Sequence, residues 1–148
     1  MQGDMEIEDM SKEKNRMNSD WRTKLMTALR GALAIHAASG FAQAVSAGLF
    51  LSGRDAAVGF HGGTAKFMMI ISLLQVIAAV FLWKPGGQPL RIALISGAIF
   101  LAEVVQMGTG FTHIFTLHVP LAVGIILGLV RLSSILWSAQ PVAQGVSS

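Results

Sequence analysis

The chain has no cysteine and very little charge. The first absence removes disulfides, thiolate metal sites, iron–sulfur clusters and thiol catalysis together. The second decides the class of protein. Only 13% of the 148 residues are charged, where a soluble domain carries about a quarter. Acids are scarcer still: Asp4, Glu6, Glu8, Asp9, Glu13 and Asp20 crowd the N-terminus and leave only Asp55 and Glu103 for the rest of the chain. A water-facing surface cannot be assembled from Ala, Leu and Gly, so the composition excludes a soluble domain and points to a lipid bilayer. The net charge is +3 and the isoelectric point about 9.8, but Lys and Arg flank apolar runs instead of forming a patch. That is membrane usage and excludes nucleic acid as a partner. The charged first 20 residues contain no short apolar core with a cleavage site, so no cleaved leader is expected.

What the chain does have is apolar length. A bilayer-crossing helix needs about 20 such residues, and four runs qualify: about Leu25 to Leu51, Gly63 to Trp83, Leu90 to Gly108 and His118 to Trp137. The expected fold is all-α, an integral membrane four-helix up-down bundle over residues 23–138. Residues 1–22 read as a polar tail, flexible or loosely helical, and 139–148 as a short C-terminal tail. Lys84-Pro-Gly-Gly-Gln-Pro89 is a turn. Pro120 is expected to open the fourth span, because proline is tolerated in a first turn and breaks an interior one, which leaves Thr109 to Thr116 as a loop. Lys12, Lys14, Arg16, Arg22, Lys24, Arg30, Lys84, Arg91 and Arg131 gather on one side, against Arg54 and Lys66 on the other. Trp21, Trp83 and Trp137 fall at the basic side. Both signals place the two termini in the cytoplasm and the protein in the cell inner membrane.

The two halves align weakly. Phe41-Ala-Gln-Ala-Val-Ser-Ala-Gly48 matches Leu101-Ala-Glu-Val-Val-Gln-Met-Gly108, and Phe60-His61-Gly-Gly-Thr-Ala65 matches Leu117-His118-Val-Pro-Leu-Ala122. Two spans per half make the repeat parallel, about an axis normal to the membrane. Gly40, Ala44, Gly48 and the shorter sets Ala93, Gly97 and Gly124, Gly128 recur every four residues, which allows close helix packing or the approach of a flat ligand.

His61 and His118 open the second and fourth spans at similar depth, and those helices are diagonal in an up-down bundle. Two facing imidazoles are a natural axial pair for haem iron, in an apolar shell. Zinc is disfavoured for want of further ligands. Gly62 and Gly63 are expected to make room for the macrocycle, and Lys66, with Arg54, to neutralise its propionates. The plainer reading makes both His interfacial caps of the outer loops. His113 is a solvent-side residue or a substitute ligand. His36 lies mid-span, where an ionisable group is a functional hypothesis by default. It either hydrogen-bonds within the bundle or, through Ala32-x-x-x-His36-x-x-x-Gly40, holds a chlorin by one axial bond. Glu103 is costly at its depth unless protonated or paired. Its partners by depth are His36, Gln43, Gln75 and Gln106, in a structural network, a proton path or a quinone contact. No nucleophile–base pair, phosphate loop or helix-borne HExxH is present.

Gln43 to Gly48, Phe60-His61 to Ala65, Glu103 to Gly108 and Leu117-His118 to Gly124 resemble the pattern of an uncharacterised family of small four-helix bacterial membrane proteins. More distantly, the architecture is similar to one four-helix half of haem A synthase and to small cytochrome b proteins. That resemblance implies His61 and His118 as axial ligands of a b-type haem. It does not carry synthase activity: the enzyme's Glu-x-x-His pair is missing, since Leu33 stands three residues before His36. The family's His-x-x-x-Gly also becomes His61…Ala65 and His118…Ala122. Besides a small transporter working through Glu103 and His36, two functions follow as expectations. One is a haem protein or redox-complex subunit in electron transfer, with quinone or an outer-face redox protein as partner. The other is a cofactor-free accessory subunit docked to other subunits of a respiratory or photosynthetic membrane complex. Neither requires an enzymatic activity of this chain.

Overall fold

In a bilayer every backbone amide must be satisfied within its own segment, so apolar runs of this length fold as helices. The computed structural model describes residues 2–138, and among these there are four helices and no strand. They are α1 (Gln2–Leu51), α2 (Ala56–Trp83), α3 (Leu90–Phe111) and α4 (Phe115–Ser138). All four are long and apolar enough to cross a membrane. The expected C-terminal tail, 139–148, lies outside the described residues.

The polar N-terminal segment does not form a separate unit; it is the first part of a single 50-residue helix. Its sequence gives no reason to stop. No proline precedes Pro85, no glycine lies between Gly3 and Gly31, and Glu8–Lys12 and Asp20–Lys24 pair one turn apart at 2.7 Å each.

The loops are short. Gly53, at φ +82°, supplies the left-handed residue that ends α1, and the Arg54 amide returns to the Leu49 carbonyl at 3.1 Å. The turn expected at Lys84–Pro89 joins α2 to α3, with Gly87 at φ +71°. The third connection differs from the sequence expectation. Helix α3 continues through Thr109 to Phe111, and α4 starts at Phe115, five residues before Pro120. Proline therefore sits inside α4 and forgoes its bond to the Thr116 carbonyl. The turn is made instead by His113 at φ +58°, with the Phe115 amide bonded to the His113 carbonyl at 3.0 Å.

Packing follows a ring: α1 on α2, α2 on α3, α3 on α4, and α4 back on α1 in the loosest seam. The core changes character along its axis. One end is hydrocarbon, built from Leu29, Leu33, Ala79, Leu82, Ile92, Leu132 and Leu136. Farther along α1, α2 and α3 the buried stripe turns polar with His36, Ser46, Ser72, Gln75, Ser96, Glu103 and Thr109. The outside is the reverse, with Phe41, Leu101, Phe111 and Leu127 all exposed. Polar inside and apolar outside is the arrangement of a multi-pass membrane protein.

Candidate functional site

Two side-chain bridges cross the diagonals of the ring. The first joins α1 to α3. His36 is fully buried, with Nδ1 2.8 Å from Gln75 Oε1 and Nε2 2.5 Å from Glu103 Oε1. Of the partners expected for Glu103 by depth, His36 bonds it directly and Gln75 bonds the far side of that ring, while Gln43 and Gln106 share a cavity wall with Glu103 without bonding it. With both ring nitrogens engaged, His36 has no lone pair to offer a chlorin.

The second bridge joins α2 to α4. The imidazoles of His61 and His118 lie with centroids 6.3 Å apart and planes inclined by 46°. Their protonation follows from their partners. Ser46 donates its hydroxyl hydrogen to the Gln43 carbonyl at 2.9 Å, so toward His61 Nδ1, 3.0 Å away, it accepts. His118 Nδ1 lies 3.0 Å from the Gln106 backbone carbonyl, which only accepts. Thr109, 3.3 Å away, gives its own hydrogen to that same carbonyl. Both rings therefore carry hydrogen on Nδ1. Each Nε2 keeps a lone pair with no hydrogen-bond partner among the described residues.

The wiring is the same twice over: a Gln carbonyl, a hydroxyl three residues on, and an imidazole from the next helix. It pairs Gln43 with Gln106 and Ser46 with Thr109. The sequence alignment sets Gln43 against Glu103, three residues before Gln106.

Beside the imidazoles lies a cavity of about 300 Å³, walled by Gly40, Ala44 and Ala47 of α1, Ala65 and Met68 of α2, and Ala122 of α4. Glu103 and both Gln43 and Gln106 also line it. Three oxygens there are buried without a partner: Gln43 Oε1, Glu103 Oε2 and Gln106 Oε1. Val119 and Val123 on its α4 rim are exposed.

Other expected site residues stand apart from this cavity. Gly62 and Gly63 are exposed, and a methyl group added at either would meet open space. They follow His61 by one and two residues, which on a helix is about 100° and 200° around the axis. The lining includes instead Ala65 and Ala122, each four after its His and on the same face. Lys66 is exposed outside the lining. His113 is exposed in its loop, edge-on to Phe115.

Sequence reasoning passed over Ser46, Thr109 and Gly110. A Cβ on Gly110 would come within 3.1 Å of His118 Cε1, so the bare backbone there seats the ring. The available signal was Gln-x-x-Ser/Thr, present as Gln43…Ser46 and Gln106…Thr109 ahead of each His.

Fold and site together define a multi-pass helical membrane protein with two half-buried imidazoles side by side at the mouth of an interhelical cavity. Comparison with known proteins adds no family: no protein-family model, no curated protein and no solved structure matches the chain.

Proposed function

We propose that the protein is a b-type haem protein of the membrane that carries single electrons, with His61 and His118 as axial ligands. The supporting observation is the pair of bare Nε2 lone pairs on rings 6.3 Å apart, each ring fixed by an Nδ1–H bond to the neighbouring helix. That is how ligating histidines are held: the second nitrogen donates, which sets the tautomer and orients the first. No cluster of three or more His, Cys, Asp or Glu exists among the described residues to complete a protein-only metal site. Two ligands are too few for structural zinc and suffice for an iron whose remaining positions a porphyrin fills. The small residues Gly40, Ala44, Ala47, Ala65 and Ala122 leave space beside the rings. Bound haem supplies a one-electron couple; the chain orients the axial nitrogens and keeps bulk water away.

The wider setting is part of the same reading. The bundle runs up and down as two parallel helix-pair repeats, each contributing one Gln–hydroxyl–His unit. Its termini face the cytoplasm of a cell whose inner membrane it spans, by the distribution of Lys and Arg. One haem near one face does not cross the bilayer alone, so an electron donor or acceptor, a quinone or another subunit, completes the path.

The test is an absorption spectrum. Protein produced with haem supply and purified in detergent shows a redox-sensitive Soret band, and His61→Ala or His118→Ala removes it. Wild-type protein without Soret absorption would leave the accessory-subunit reading in its place.

A further inference from the structure

Of the Gln75–His36–Glu103 chain, Glu103 reaches the wall of the cavity while His36 and Gln75 lie behind it. The proton count of these three residues follows from the placement of the Gln75 amide, whose Nε2 is buried without a partner. Nδ1 of His36 faces the amide oxygen of Gln75 and so carries a hydrogen. One further proton lies between Nε2 and Glu103 Oε1. Whichever of the two atoms holds it, the pair is neutral overall: imidazole with carboxylic acid, or imidazolium with carboxylate. Glu103 Oε2 remains, 6% exposure being all the residue has, without a partner and in the cavity wall. It is the vacant acceptor of the pair. A second proton taken there makes the pair imidazolium plus carboxylic acid, with a charge of +1.

A haem held by His61 and His118 would take the electron on its iron, and the added negative charge would lie beside the poorly polarisable interior, where uncompensated charge is expensive. Glu103 lies one turn from Gln106, whose carbonyl holds His118. Resting on the haem reading above, we propose that the His36–Glu103 pair is the proton acceptor coupled to one-electron reduction at the bis-imidazole centre. The balance is simple. A one-electron donor supplies the electron, water supplies one proton to the Glu103 carboxyl group, and no bond of the chain breaks. Reoxidation returns both.

Few other groups near the pair can serve. Helix α1 brings His36 itself and, farther toward the hydrocarbon end, Arg30, which is bonded to the Leu136 carbonyl. Helix α2 brings Gln75 and His61, and α4 brings His118. Lys66, Arg54 and Asp55 are exposed.

The test is a spectroelectrochemical titration of haem-loaded, full-length protein in lipid nanodiscs from about pH 5 to about pH 9. Coupling of one proton per electron lowers the midpoint by up to about 59 mV per pH unit. Glu103→Gln keeps the Soret band and flattens the slope. In the wild type, the reduced-minus-oxidised infrared spectrum gains a protonated-carboxyl band that Glu103→Gln lacks. A pH-independent wild-type midpoint overturns the proposal and leaves the haem reading standing. A slope that survives Glu103→Gln also overturns it, by assigning the proton to the haem propionates. Should that variant not fold, a wild-type difference spectrum without the carboxyl band has the same force. Absence of the Soret band in the wild type overturns both readings at once.

Discussion

Two hydroxyl groups decide what His61 and His118 can do. Each surrenders its hydrogen to a carbonyl of its own helix and presents only lone pairs to the imidazole, which fixes the proton on Nδ1. For His61 the hydroxyl is the side-chain partner of Nδ1, beside the Gln43 backbone. Ser46→Ala is therefore expected to weaken haem retention about 10- to 100-fold, measured as the rate of haem transfer to apomyoglobin, with helix content unchanged. Thr109→Ala is the milder change, since the Gln106 carbonyl still holds His118. The histidines were legible in the sequence because an ionisable group in an apolar run is conspicuous. Their supports were not, because Ser, Thr and Gly in a membrane helix read equally well as packing residues. Gly62 and Gly63 fall outside the cavity wall for a geometric reason: neighbours in sequence lie on different faces of a helix.

The helices themselves were readable from hydrophobic length, and three of the four boundaries on the α1–α2 and α2–α3 connections involve the glycine and proline that mark them. The α3–α4 connection was not readable, because Pro120 suggests a helix start that His113 actually sets one and a half turns earlier. At the opposite end, α4 finishes with carbonyls that have no helical partner. Arg30 of α1 reaches one of them, the Leu136 carbonyl, through Nε at 3.1 Å and Nη2 at 2.6 Å. A cation at a helix C-terminus also suits the helix dipole. Arg30→Met should cost about 1.5–3 kcal/mol and speed amide hydrogen exchange in the last turns of α4. The α2–α3 turn has a comparable tie, from Arg22 Nη2 to the Pro85 carbonyl at 2.9 Å.

At the scale of the whole molecule, the bilayer is the missing half of the structure. Leu127, near the middle of α4, is 63% exposed. Leu127→Lys should make membrane insertion of that helix less favourable by about 3 kcal/mol, read out in a glycosylation-mapping assay. The same change at an exposed position of the N-terminal part of α1 should cost nothing. Class and span number followed from composition because lipid imposes them on any chain. The cavity did not, since it arises from how four helices meet, which no single run of residues records. The unbroken α1 has a further consequence. At 1.5 Å per residue, the part before Trp21 reaches roughly 30 Å past the bundle. No hinge separates that rod from the stripe carrying His36 and Ser46. Its charged tip is thus phase-locked to the core: one residue inserted near Lys24 would swing the tip by about 100° and advance it by about 1.5 Å. A torque applied at the tip would be delivered to the imidazole network without slack.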